Sequence, residues 1–265
     1  MSAPRGYSRA AHRAWAEPAL LACVLLALAC RPASAYRPFE GTDAAVADYR
    51  EVEVELQPAG VIKQGAQKTV TAPEWVVNLG FAPNWEAVFQ ALGRFPFGQP
   101  DQSFSVGDAG VSLKHVLREG SLQDKSGPSV ATEFGVLLPG VGTEPGVGAT
   151  VSGIVSQRFE WTTIHLNAAA TLTRDQHADG FLGAIIEGPS TWKVRPVAEI
   201  FYENELGTAR TVSGLVGAIL QVNDTLSFDI GFRHALVGGQ SANEVRAGLT
   251  FGLPMLLGAP ARSRQ

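Results

Sequence analysis

Cysteine is nearly missing from this chain: Cys23 and Cys30 are the only two among 265 residues, and both lie in the first 30. Everything after residue 35 is cysteine-free, which excludes a disulfide scaffold and thiolate metal sites there. No stretch beyond residue 35 holds about 18 consecutive apolar residues, so no membrane-spanning helix is expected. A basic excess is missing too, with 21 Lys and Arg against 25 Asp and Glu, and nucleic acid is not an expected partner. Helical periodicity is scarce. Hydrophobic residues make up 45% of the chain at a mean hydropathy of only +0.07, because they are dispersed rather than clustered.

The exception is the beginning. Arg5, Arg9 and Arg13 precede an apolar run from Pro18 to Cys30, and Ala33-Ser34-Ala35 follows as a small-residue cleavage site. The run is too short for a permanent anchor. Cys30 fits poorly as a lipoprotein acylation site, since Ala27 stands three residues before it where leucine is usual. Residues 1–35 therefore read as a signal peptide removed after Ala35, on an exported protein. Cleavage takes Arg5, Arg9, Arg13, Arg31 and Glu17 out of the totals and leaves 17 basic and 24 acidic residues.

What the rest of the chain has is alternation. In Leu226-Ser-Phe-Asp-Ile-Gly-Phe-Arg233, the residues Leu226, Phe228, Ile230 and Phe232 share one face, opposite Ser227, Asp229, Gly231 and Arg233. Val245, Ala247, Leu249 and Phe251 alternate likewise with Glu244, Arg246, Gly248 and Thr250, and Glu51, Glu53 and Glu55 with Val52, Val54 and Leu56. The apolar face is often light, as at Ala149, Val151, Gly153 and Val155, and the other face is polar and small, as at Thr163, His165, Asn167, Ala169 and Thr171. A soluble core built on so light a face would contain cavities, whereas lipid fills them. The expected fold is all-β, a transmembrane antiparallel β-barrel with its apolar face outward.

Twelve strands (within a range of 10–14) are expected near residues 50–57, 68–81, 85–95, 106–118, 129–137, 147–158, 161–172, 180–187, 192–203, 211–222, 225–235 and 244–253. An even number puts both termini on the periplasmic side. Short turns are expected around Pro83, Phe159, Gly188 and Asn223. Longer outer loops are expected at 58–67, 96–105, 138–146, 173–179, 204–210 and 236–243, and residues 119–128 form a turn longer than this scheme prefers. Pro73 and Pro196 each remove a ladder donor, so bulges or strand ends are expected there. Trp85, Trp161 and Trp192 each follow a short turn, which places three indoles at one height as an interfacial girdle. The chain thus divides into 1–35, the signal peptide; 36–49, a periplasmic segment or plug; 50–253, the barrel; and 254–265, a tail.

Several segments resemble a family of bacterial outer-membrane barrels known as meta-pathway phenol-degradation proteins, also labelled transporters. They are Arg37-Pro-Phe-Glu-Gly-Thr-Asp-Ala-Ala-Val-Ala-Asp48, Glu51 to Leu56, Asn78-Leu-Gly-Phe-Ala-Pro-Asn-Trp-Glu86, Gly107-Asp108 with Leu113-Lys114, Glu133 to Pro139, Asn223 to Gly231, and Gly248-Leu-Thr-Phe-Gly252. The resemblance implies an outer-membrane channel or transporter for small hydrophobic or aromatic solutes, with outer-membrane lipid and the barrel-assembly machinery as partners. One departure is that Phe251 is followed by 14 more residues, where such barrels often end on an aromatic.

Sites for chemistry are sparse. A hydrolase needs a base within reach of its nucleophile, yet His165 is followed by Leu-Asn-Ala and His234 by Ala-Leu-Val, without the His-x-Ser-Asn-Gly of an outer-membrane phospholipase, and no G-x-S-x-G elbow occurs. Asp175, His177 and Asp179 read as a solvated loop tip, and Pro139 to Gly148 as a hairpin loop without the Lys-Ser/Thr of a nucleotide site. No catalytic residue, metal or cofactor is expected. Charged residues inside strands are costly in lipid, about 2–4 kcal/mol for Lys or Arg at midplane, so they are expected to face the lumen. Asp108, Lys114, Glu133, Arg195, Glu199, Asp229, Arg233 and Arg246 are the foremost lumen-lining candidates, and Glu51, Glu53, Glu55, Glu74, Lys193, Glu203 and Glu244 belong to the same set. Three function classes remain. A transporter needs a continuous charged lumen, and a structural or adhesive barrel a filled one. A barrel acyl hydrolase needs a Ser/His/carboxylate cluster on neighbouring strands near one rim.

Overall fold

A computed structural model describes residues 37–97 and 103–255. The expected signal peptide and the chain beyond Met255 lie outside the described residues. Twelve strands follow one another: β1 Glu51–Gln64, β2 Gln67–Ala82, β3 Trp85–Phe97, β4 Ser105–Arg118, β5 Ser129–Leu137, β6 Gly148–Arg158, β7 Thr163–Leu172, β8 Ala178–Glu187, β9 Val194–Glu205, β10 Ala209–Asn223, β11 Leu226–Val237 and β12 Gln240–Pro254. Each pairs antiparallel with its neighbours, and β12 returns to β1 to close the barrel. Closure removes the sheet edges, as a barrel in lipid requires.

The alternation decides which way the wall faces. On β1, Glu51, Glu53, Glu55 and Gln57 are buried, and on β11 Ser227, Asp229 and Gly231 are buried while Phe228, Ile230 and Phe232 are exposed. The polar set points in and the apolar set out, the reverse of a soluble barrel. Ala44, Ala131 and Ile154 form a small apolar cluster inside, with Leu122 beside it.

Pro73 sits in a register shift between Thr71 and Glu74, and Pro196 lies one residue past the last β8–β9 pair, Glu187 with Val197. Three expected outer loops are instead mostly strand. β1 and β2 run on to a two-residue turn at Gly65 and Ala66, β11 and β12 to Gly238 and Gly239, and β9 and β10 to residues 206–208. Their polar residues read as loop in the sequence, but a wall extending past the lipid needs no apolar outer face. Lys193 falls in the connection before β9 and not on a strand. Residues 119–128 carry a single 3₁₀ turn, Ser121–Gln123, at the end of the barrel where β1 begins and β12 ends.

Candidate functional site

Residues 37–50 fold back into the lumen and lie against inward-facing side chains. Five of their backbone N–H groups donate to side chains of the wall, and a sixth, that of Arg50, donates to the Gly80 carbonyl at 2.7 Å. Glu40 and Gly41 donate to Glu199, at 3.0 and 2.8 Å, and Thr42 donates to Asn167 Oδ1 at 2.9 Å. Ala44 donates to Ser156 Oγ at 2.9 Å and Ala47 to Glu86 Oε2 at 2.6 Å. A segment without strand partners must satisfy its amides somewhere, and the polar lumen supplies the acceptors. Asn167 also returns a bond from Nδ2 to the Thr42 carbonyl. Gly80 permits the closest approach, because a Cβ there would overlap the Asp48 and Ala47 carbonyls.

Charge reinforces this seating. Arg37 reaches Glu74 at 2.7 Å, Gln57 at 2.5 Å and Asp229 at 3.5 Å. The Glu40 carboxylate lies 2.8 Å from Arg233 and 2.5 Å from Arg246, and both arginines also hold Glu244. Burial pushes the Glu40 carboxyl up, but Arg233 and Arg246 outweigh it and hold it at about 2. About a third of that side chain stays exposed, so the attraction is partly screened. Lys114, 2% exposed, lies 3.4 Å from Glu86 and 3.8 Å from Asp43 and donates to Thr42 Oγ1 at 3.2 Å. Burial raises the Asp43 carboxyl and Lys114 opposes the rise.

The segment divides the lumen. On the outer side lies a cavity of about 750 Å³ whose lining includes eleven carboxylate side chains and four basic ones, along with Phe39 and Phe181. On the side where β1 begins and β12 ends lies one of about 920 Å³ with seven carboxylates and three basic groups. Asn78, Glu86 and Lys114 line both, which marks where the two vestibules meet.

Of the eight foremost lumen candidates, Asp108, Lys114, Glu133 and Arg246 line the outer vestibule. Lys114, Glu199, Asp229, Arg233 and Arg246 touch the segment. Asp108 pairs with Arg94 at 2.5 Å, Glu133 accepts from Ser112 Oγ, and Arg195 lies 3.5 Å from Glu187. Trp85, Trp161 and Trp192 sit at the end of the barrel where β1 begins and β12 ends, and Trp85 stacks on His115 with centroids 4.0 Å apart. Asp175, His177 and Asp179 do not converge, and no group of three metal-ligating side chains occurs among the described residues.

Sequence reasoning missed one constellation. Ser156, His165 and Glu187 stand in hydrogen-bond contact under the segment, the first two buried and Glu187 partly so. A search along the chain for a motif could not find it, because its members are cross-strand neighbours. The hairpin register around residues 159–162, which sets Ser156 opposite His165, was the available signal.

No family model matches the chain, and no curated protein matches it in sequence. Among solved structures it is similar to an outer membrane channel from Pseudomonas putida F1, with TM-score 0.53 and 11% identity over 79% of this chain and 96% of that one. It is similar also to the NanC porin, at 0.52 and 8% over 76% and 98%, and to the KdgM porin in complex with disordered oligogalacturonate, at 0.51 and 12% over 75% and 98%. At such identities the likeness is one of fold, that of the closed barrels of outer-membrane porins and channels.

Proposed function

We propose that this chain is an outer-membrane channel for small solutes, exported by a signal peptide over residues 1–35 and inserted by the barrel-assembly machinery, with residues 37–50 as its resident plug. The observation that carries this reading is the pair of carboxylate-rich vestibules on either side of the docked segment, which share Asn78, Glu86 and Lys114 in their linings. A wall apolar outside and charged inside is what a conduit through lipid requires. The excess of carboxylates favours neutral or cationic solutes and disfavours a polyanion such as the oligogalacturonate held by the KdgM porin. Phe39 and Phe181 in the outer vestibule offer aromatic faces. They support the small aromatic solutes implied by the resemblance to the meta-pathway phenol-degradation family.

Planar-bilayer recording on the purified barrel tests the proposal. Full-length protein should show small conductance, deletion of residues 37–48 should raise it several-fold, and millimolar phenol should block the open form. Absence of conductance from a folded deletion variant would favour the structural barrel with a filled lumen.

A further inference from the structure

Under residue 44 of the segment lies a set of side chains for which solute passage has no use. Ser156 on β6 pairs across the sheet with His165 on β7, and Thr163 on β7 pairs with Glu187 on β8. Ser156 Oγ is 2.8 Å from His165 Nδ1, and His165 Nε2 is 3.0 Å from Glu187 Oε1. A carboxylate at Nε2 places the imidazole proton there and leaves Nδ1 as a base facing the hydroxyl. The ring is turned end for end relative to the usual serine-hydrolase arrangement, with the same division of roles.

Ala44 occupies the space in front of this hydroxyl as an acyl group would. Its N–H donates to Ser156 Oγ at 2.9 Å, and its carbonyl accepts from Gln123 Nε2 at 3.1 Å. Ala44 is fully buried in an apolar slot formed by Ala131, Ile154 and Leu122. Nucleophile, base, orienting carboxylate, carbonyl donor and a slot of methyl size are thus assembled around one residue of the segment.

We infer that Ser156 is a masked nucleophile for esters of short-chain acids, covered by Ala44 as a resident pseudo-substrate. With the segment withdrawn, an acetyl or propionyl group enters the slot with its carbonyl near Gln123. Ser156 Oγ bonds to the carbonyl carbon while its proton passes to His165 Nδ1. The bond to the leaving oxygen then breaks, and the alcohol departs with that proton. Water activated by His165 releases the carboxylic acid and restores the serine.

The inference rests on the proposed reading only in requiring a segment that can leave, and conductance separates the two. The test is Ser156 phosphorylation by diisopropyl fluorophosphate, followed by intact mass and peptide mapping on full-length barrel in micelles. Ala44→Phe, too large for the slot, should label at least about tenfold faster than wild type. Adding Ser156→Ala should abolish the adduct, and adding His165→Gln should slow it by about a hundredfold, the scale of general-base assistance. The unmasked barrel should hydrolyse p-nitrophenyl acetate faster than p-nitrophenyl octanoate. A folded, heat-modifiable Ala44→Phe barrel with no adduct at Ser156 overturns the inference, as does labelling that His165→Gln leaves unchanged. Should Ala44→Phe fail to fold, Glu40→Gln loosens the segment from its other end and supplies the same comparison. Raised conductance without an adduct would refute the masked nucleophile and leave the channel standing, and an adduct without raised conductance would do the opposite.

Discussion

Replacing Lys114 with methionine should unseat the amino-terminal segment and leave the barrel closed. The ammonium is 2% exposed, 3.4 Å from Glu86 Oε1 on the wall and 3.8 Å from Asp43 Oδ1 on the segment. At an effective dielectric of about 20, each pair is worth roughly 4–5 kcal/mol before desolvation is subtracted. Removing one partner from a buried pair costs about 3–5 kcal/mol, because the carboxylates left behind are uncompensated. Undocking relieves that cost, since Asp43 then reaches water and Glu86 faces an open lumen. At about 1.4 kcal/mol per decade, the docking equilibrium shifts by roughly two to four powers of ten. Hydrogen exchange reads this directly, because the amides of Glu40, Gly41, Thr42, Ala44 and Ala47 are held by wall side chains. Their protection in Lys114→Met should fall by that factor while strand amides stay protected, and adding Asp43→Asn should recover part of the loss. Wild-type protection of these five amides in Lys114→Met would refute the reasoning.

Three further outcomes follow from the same contacts. Burial raises the Glu40 carboxyl but Arg233 and Arg246 bring it down to about 2, below its unfolded value of about 4.3. Its contribution to docking is therefore full above that value and lost as pH falls toward 2, so the segment amides should be strongly protected, relative to their intrinsic exchange rates, at pH 5 and lose that protection between about pH 4 and 2; loss already at pH 6 would contradict this. Gly80→Val should displace the segment at the inner rim, where a side chain overlaps the Asp48 and Ala47 carbonyls, and raise conductance with little change in the barrel's heat-modified mobility. Asn167→Ala, which removes two hydrogen bonds to Thr42, should weaken docking by about 1–3 kcal/mol and speed exchange by one to two powers of ten at the five segment amides.

The barrel was legible because a period of two leaves its mark on every strand. Glu51, Glu53 and Glu55 against Val52, Val54 and Leu56 fix both the strand and its facing, with no knowledge of neighbours. Strand ends were less legible. The stretch from Pro58 to Gln64 carries polar residues on both faces, and only pairing with β2 and β12 makes it a strand. The lumen candidates could be named as a set, since charge on a wall strand has one affordable side. Their partners could not be named. Arg246 meets Glu40 across 206 residues, and Lys114 meets Thr42 across 72, contacts that depend on where an irregular segment enters the lumen. Ser156, His165 and Glu187 escaped for a related reason, since their juxtaposition is written in hairpin register and no local motif carries it.

The measurement that bears most directly on the central claim is the reversal potential of the barrel in a tenfold potassium chloride gradient, recorded for wild type and for the variant lacking residues 37–48. A continuous lumen lined by carboxylates in both vestibules predicts cation preference in both proteins, with larger conductance in the deletion. Anion preference, or a folded deletion variant that passes no current, would contradict it.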